Sequence, residues 1–217
     1  MAGQDRQAGP RGPVIAVDGP AASGKGTIAK ALARHYGLPF LDTGLLYRAV
    51  GLLVLDRGQD PDDERAGLAA TSFEDEALAD PRLRGDVAGG AASRVSVHPA
   101  VRAALLQRQR DFAAQPGGAV LDGRDIGTVI APDASAKLFV TATPEVRAER
   151  RHRELAGVRT FEEVLADIRA RDARDQGRSA APLARAPDAA LLDTTTLGID
   201  DAIRAAISIV DGKLRAD

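Results

Sequence analysis

The apolar positions of the chain fall into short runs separated by longer stretches of helical period. The short runs are VIAVD (14–18), PFLD (39–42), AVLDG (119–123), AKLFVTA (136–142) and AALLD (189–193). Their length and their polar or glycine-bearing flanks predict strands. Helices are predicted over Lys25–Tyr36, closed by Gly37, and over 44–58, with Thr43 at the N-cap. Further helices are expected over Pro99–Ala114, from Pro144 to about Leu155, over Phe161–Asp175, and from near Ile199 to the end. Strands alternating with helices predict an α/β fold, a five-stranded parallel sheet covered on both faces. Such sheets bind ligands beyond the carboxyl ends of their strands. Gly19, Asp42 and Asp122 stand at such ends.

Residues 60–98 depart from this rhythm. They are polar, rich in alanine and glycine, and weakly periodic. Together with a loop near 150–160 they read as excursions over the ligand-binding edge. The 217 residues suffice for one domain with a sizeable core. A net charge of −2 gives no basic field for nucleic acid or an anionic membrane. The lack of cysteine excludes disulfides, thiolate metal sites and thiol nucleophiles. No apolar run approaches the ~20 residues of a membrane span. Residues 1–12 are polar, without the apolar stretch of a signal peptide, and read as a disordered tail ahead of one domain over 13–217. A cytoplasmic location is expected.

Lysine occurs only at 25, 30, 137 and 213. Arginine is abundant, so a single arginine reads as a solvated surface group unless a motif places it. Lys25 lies in GPAASGKGT (19–27), which matches G-x-x-x-x-G-K between a strand and a helix. The glycines of such a loop let backbone N–H groups turn inward, and the helix adds its positive end. Gly19, Pro20, Ala21, Ala22, Ser23, Gly24, Lys25, Gly26 and Thr27 are therefore the expected cradle for ATP, with Lys25 reaching its outer phosphates. Gly26 stands where a Mg²⁺-binding Ser or Thr is usual, and Thr27 follows. The fold class narrows to the three-layer P-loop NTPase type.

The guanine-reading N-K-x-D of GTPases is absent, and ATPase motors need a longer chain. A small kinase needs a second site for an anionic acceptor. Three stretches could supply it. LDTGLLYR (41–48) brings Thr43, Tyr47 and Arg48 close to the cradle. LDGRDIGT (121–128) puts Asp122 at a strand end, as a Mg²⁺-organising aspartate is placed, followed by Arg124 and Asp125. RDARDQGR (171–178) spaces Arg171, Asp175 and Arg178 along one helical face, either as a surface ion-pair ladder or as a ligand-facing set.

These stretches, with AASRVSVHPAVRAALLQRQR and LLDTTTLGID, occur in the order found in bacterial cytidylate kinases of the nucleoside monophosphate kinase family. The resemblance runs from about Ala16 to Ile203. It implies transfer of the γ-phosphoryl group of ATP to CMP or dCMP with Mg²⁺, by a protein with a core, a monophosphate-binding insertion and a mobile lid; a monomer is expected because no obvious interface stripe is visible in the sequence. By position it implies that Arg48, Arg124 and Arg178 hold the CMP phosphate. It places Ser93, Arg102 and Asp125 on cytosine, and Arg171 and Asp175 on the sugar. Ser93 and Arg102 carry no signal of their own. Catalysis is then expected from Lys25, Arg48, Arg124, Arg178 and Asp122, with Mg²⁺ held through ATP and water near Thr27 and Asp122. Arg150 or Arg153 in ERRHR (149–153) is the candidate lid arginine, against the reading of a basic solvated helix end. The family's strand-rich insertion is not recognisable in 60–92, which is shorter than in many members and has Gly90 where asparagine often precedes AAS. The cover over the nucleotide is therefore expected to be reduced. UMP, AMP or shikimate are the rival acceptors, and a non-catalytic nucleotide switch is the rival class.

Overall fold

The computed structural model describes residues 12–156 and 158–215. The expected tail, except Gly12, and Gly157 of the expected lid lie outside them. Five strands, β1 (Val14–Asp18), β2 (Phe40–Asp42), β3 (Ala119–Gly123), β4 (Ala136–Thr141) and β5 (Ala190–Asp193), form one sheet in the order β2-β3-β1-β4-β5. All neighbouring pairs are parallel. β1 is central, and neither of its neighbours follows it directly in sequence. The crevice at its carboxyl end is thus the kind of position where open α/β sheets bind ligands.

The alternation within each strand sets the layers. Ile15 and Val17 of β1, Val120 of β3 and Leu138 of β4 bury against Ile28 and Leu32 of α1 (Lys25–Tyr36). Ala202, Ala206 and Val210 of α8 (Ile199–Leu214) join the same layer. Ala16 and Leu121 point to the other face, where Ile126 and Ile130 meet Ala113 of α5 (Pro99–Ala113). α2 (Thr43–Asp56) carries Leu46, Val50 and Val54 into a separate cluster with Val95, Val101 and Leu105. That cluster supports the excursion that follows α2.

The excursion is helical. It holds α3 (Glu64–Ala69), two 3₁₀ turns (Asp75–Ala79 and Pro81–Arg84) and α4 (Asp86–Val95). No described residue between β2 and β3 is in a strand, so the strand-rich insertion of the resemblance is replaced by helices. The reason is composition: DVAGGAASRV is small and lacks β-branched alternation, so it packs closely as a helix. A Cβ on Gly51 of α2 would stand 2.7 Å from the Ala91 Cβ of α4, so these two helices meet nearly backbone to backbone.

Two of the boundary differences bear on the site. Asp42, not Thr43, is the N-cap of α2, accepting from Gly44 N at 2.9 Å. Thr43 is freed, and its hydroxyl donates to the Asp122 carbonyl at 2.8 Å, tying α2 to β3. α6 (Pro144–Glu154) and α7 (Phe161–Gly177) pack together through Ala148, Val164 and Ile168. α7 is two residues longer than expected and then stops. Arg178 is its C-cap, at φ −62° and ψ 136°, so Arg178 leaves the helical face it was expected to share with Arg171 and Asp175.

Candidate active site

The phosphate loop joins the end of β1 to α1. Gly19 takes φ 153°, and a Cβ there would meet the Val140 carbonyl at 2.0 Å, so only glycine fits beside β4. Gly24 is left-handed and precedes Lys25 at the helix start. Gly26 also has a local reason: a Cβ would lie 3.0 Å from Asp122 Oδ2. Thr27 is exposed beside it. Lys25 Nζ stands 3.5 Å from Asp122 Oδ1, with both side chains largely buried. Burial first, then the charge of Arg124, lowers the Lys25 ammonium to about 8. Burial also raises the Asp122 carboxyl, against the pull of Lys25. A pair that is costly to ionise while buried suits a site whose charge is completed by a ligand.

Beyond Asp122 the cleft is a cluster of arginines. Arg124 Nε donates to Asp175 Oδ2 at 2.8 Å, and Nη1 to the Gly123 carbonyl. Arg48 Nη1 donates to the Leu83 carbonyl at 3.1 Å. Arg171 lies where Arg124 and Arg48 repel it; burial first and then Arg124 lower its guanidinium to about 10. Burial opposes the charge of Asp175, but Arg124 and Arg171 outweigh it and hold that carboxyl below its ordinary value. The Nε atoms of Arg48, Arg171 and Arg178 are buried without a hydrogen-bond partner among the described residues. Buried donors left open in this way fit a multiply charged oxyanion.

Arg178 stands apart from that cluster. Its Nη2 donates to the Ala181 carbonyl at 2.8 Å. After burial, its main electrostatic neighbours are Arg102, Asp175 and Asp125. By position Arg171 is beside Arg48, Arg124 and Lys25, and Arg178 is beside Arg102, Asp125 and Asp175, toward the other end of the cleft.

That other end is built on a buried pair. Arg102 Nη2 donates to Asp125 Oδ2 at 2.5 Å, and the Arg102 guanidinium lies 5.4 Å from the Tyr47 ring centre. Tyr47 is buried, its ring shared with the α2 cluster. Ser93 on α4 is 2% exposed, and its hydroxyl accepts from Arg174 Nε at 3.1 Å. All these groups line one cleft of about 900 Å³, together with residues 22–27 of the phosphate loop and the 194–199 segment, except Arg174; Gly19, Pro20 and Ala21, expected in the cradle, are not among its lining. Arg174 lines an adjoining lobe of about 760 Å³ that shares Lys25, Arg48, Arg124 and Arg171.

On the donor side, Arg150 lies over the loop. Its Nη1 and Nη2 donate to Thr194 Oγ1 and to the Thr194 carbonyl, at 3.0 and 2.6 Å. Arg153 also lines the cleft, but its side chain is 67% exposed and pairs with Glu149. Three positions that bind elements of the site together were not picked out from sequence. Arg147, buried on α6, donates to the Ala21 carbonyl at 3.1 Å and grips Asp172 with both Nη atoms. Nothing in the pattern separates it from its neighbouring arginines. Arg174 is similarly hidden in an arginine-rich helix. Asp18 carried a signal, a carboxylate ending an apolar strand, that the loop motif overshadowed.

Fold and phosphate loop together define a P-loop phosphotransferase, with an arginine-lined cleft beside the loop. The family model described as "Cytidylate kinase" matches residues 15–212. A cytidylate kinase of Xanthobacter autotrophicus is 63% identical over 204 residues, covering 92% of this chain and 98% of that protein. One of Caulobacter sp. is 58% identical over 202 residues, 91% of this chain and 94% of its own. The chain belongs to the cytidylate kinase family. Among solved structures, a gluconokinase from Sinorhizobium meliloti is similar at TM-score 0.52 and 18% identity, over 95% of this chain and 96% of that one. An uncharacterized protein from Eubacterium ventriosum reaches TM-score 0.53 at 15% identity, over 92% and 98%. These two likenesses speak for the fold alone.

Proposed function

We propose that this chain transfers the γ-phosphoryl group of ATP to CMP and dCMP, working as a monomer in the cytoplasm without a nucleic-acid or membrane partner. The observation that carries the reading is one cleft with three parts in order: a lysine-bearing phosphate loop, the Arg48–Arg124–Arg171 cluster, and the Arg102–Asp125 pair over Tyr47.

The acceptor is a phosphate oxygen already ionised near neutral pH, so no general base is required. The work of the protein is to position two anions in line and offset their repulsion. Lys25 and the α1 N-terminus take the donor phosphates. Arg48, Arg124 and Arg171 take the acceptor phosphate, whose oxygens match the guanidinium fork. Asp175 holds Arg124 at the correct height. Arg150 lies on the donor side as the lid arginine, and Arg153 stays a solvated residue. Closing this edge excludes water as a competing acceptor.

The residues fit Mg²⁺ carried with the triphosphate. Among the described residues Asp122 Oδ1 is buried with only the 3.5 Å ion pair to Lys25 and no closer hydrogen-bond partner, and Gly26 leaves room beside the carboxylate. Asp122 and Thr27 would hold the ion through water, and the ion would neutralise charge on the phosphoryl oxygens.

At the base end, Asp125 accepts from the cytosine amino group and repels the O4 of uracil, while Arg102 and Ser93 complete the edge. A buried carboxylate that meets an acceptor oxygen where it needs a donor is a strong source of discrimination. Arg178 stands on the nucleoside side with Asp175. The test is ADP release with ATP and Mg²⁺ against CMP, dCMP, UMP, AMP and shikimate. Turnover with the cytidine nucleotides well above the rest is expected. Turnover with another acceptor instead, or none dependent on an acceptor, would overturn the proposal.

A further inference from the structure

Asp18 is the last residue of β1 and directly precedes the phosphate loop. It is 5% exposed and takes no part in the scheme above. Its Oδ1 accepts from Ile126 N and its Oδ2 from Gly127 N, each at 2.8 Å. These N–H groups open a π-helical turn, Ile126–Ile130, whose N-cap is Asp125. An aspartate at an N-cap ordinarily turns its own carboxylate onto the first N–H groups of its helix. Asp125 makes no such bond; its carboxylate is engaged with Arg102 instead.

We propose that Asp18 is a positioning residue for acceptor recognition: it caps the Ile126–Ile130 turn from another strand, and so leaves the Asp125 carboxylate free to face the base. The inference rests on the reading of Asp125 as the cytosine reader. The geometry explains why two acids are needed where one would cap the turn. Without Asp18, Asp125 is itself placed to accept from Gly127 N, the N2 position that an N-cap side chain reaches, and doing so would turn it away from Arg102. The arrangement also ties the donor and acceptor halves together, because the residue that caps the acceptor turn is bonded covalently to Gly19. Burial is the largest influence on this carboxyl and pushes it up to about 7, against the pull of its two N–H bonds. The fold thus keeps a carboxylate where ionising it is costly.

The experiment compares Asp18→Asn, Asp125→Asn and the double variant for steady-state kinetics with CMP, UMP and ATP. Asn keeps the shape of Asp18 but sets an NH₂ against one of the two N–H groups. For Asp18→Asn we expect KM for CMP to rise about tenfold and the preference for CMP over UMP to fall similarly, with KM for ATP within about twofold. In the Asp125→Asn background, Asp18→Asn should add little. An equal rise in both KM values, or additive effects in the double variant, would overturn the proposal. Normal behaviour of Asp125→Asn would sink the base-reading role, and this inference with it; loss in Asp125→Asn alone would sink only the inference. If Asp18→Asn does not fold, amide hydrogen exchange in the unaltered protein decides. Protected Ile126 and Gly127 amides are expected without nucleotide, and exchange as fast as in an exposed loop would refute the cap.

Discussion

The buried Arg147 guanidinium and the partly exposed Asp172 carboxylate form a two-pronged pair, Nη1–Oδ1 at 3.0 Å and Nη2–Oδ2 at 2.6 Å. The same guanidinium donates to the Ala21 carbonyl in the phosphate loop and to the Ala142 carbonyl at the end of β4. One side chain therefore braces the donor loop against α7, next to Arg171. Removing one partner of such a pair leaves the other charge unpaired. Arg147→Ala should lower stability by about 3–5 kcal/mol in denaturant unfolding. Because Ala21 loses its brace, KM for ATP should rise in the surviving folded enzyme. A loss below about 1 kcal/mol would place the pair among ordinary surface bridges.

The two ends of α7 should separate in kinetics. Arg171→Ala removes a guanidinium from the phosphate cluster and should cut kcat/KM for CMP by about 10²–10³-fold. Arg178→Ala should act on the nucleoside side, changing the ratio of CMP to dCMP turnover with a smaller fall in kcat. Steady-state constants for both variants with both acceptors give the comparison. The reverse ranking would return Arg178 to the phosphate.

Lys25 links binding to pH. Its ammonium is lowered by burial to about 8, from an ordinary value of 10.5. The triphosphate favours the charged form, so nucleotide binding near pH 8 should take up a proton, and ATP affinity should weaken as pH rises through about 8. Calorimetry in two buffers of different ionisation enthalpy measures the uptake. The stability of the free enzyme should move oppositely. Between about 8 and 10.5 the unfolded chain holds the proton that folded Lys25 has lost, so this residue's contribution rises with pH in that window. Binding without proton exchange at pH 8 would show that Lys25 is fully charged before ATP arrives.

Arg150 and Arg153 offer a cleaner contrast, because they lie nearly one helical turn apart on α6. Arg150→Ala should raise KM for ATP by about tenfold, in keeping with loss of a charge-assisted contact. Arg153→Ala, with an exposed side chain paired to Glu149, should change it by less than about twofold. Initial rates against ATP at saturating CMP distinguish them. Equal effects would make the whole basic end of α6 the lid.

What the sequence determined by itself is local. VIAVD, AVLDG and AKLFVTA declared themselves as strands because buried parallel strands need unbroken apolar runs. GPAASGKGT declared a phosphate loop because glycines and a lysine at that spacing serve little else. The 60–98 excursion was illegible because its helices are short, small-residued and held by close contact, such as Gly51 against Ala91, not by an apolar stripe. The tertiary structure decided the rest, where function depends on which chain segments meet. It ended α7 before Arg178 and so set Arg178 beside Arg102 and Asp125 while Arg171 stayed beside Arg124. It made Asp42 the cap and turned Thr43 onto Asp122. It brought Asp18 to the turn behind Asp125, and Arg147 to both Ala21 and Asp172. The physical reason is common to all of these. Periodicity reports which face of an element is buried, but a buried charge is explained only by its partner, and that partner is distant in sequence.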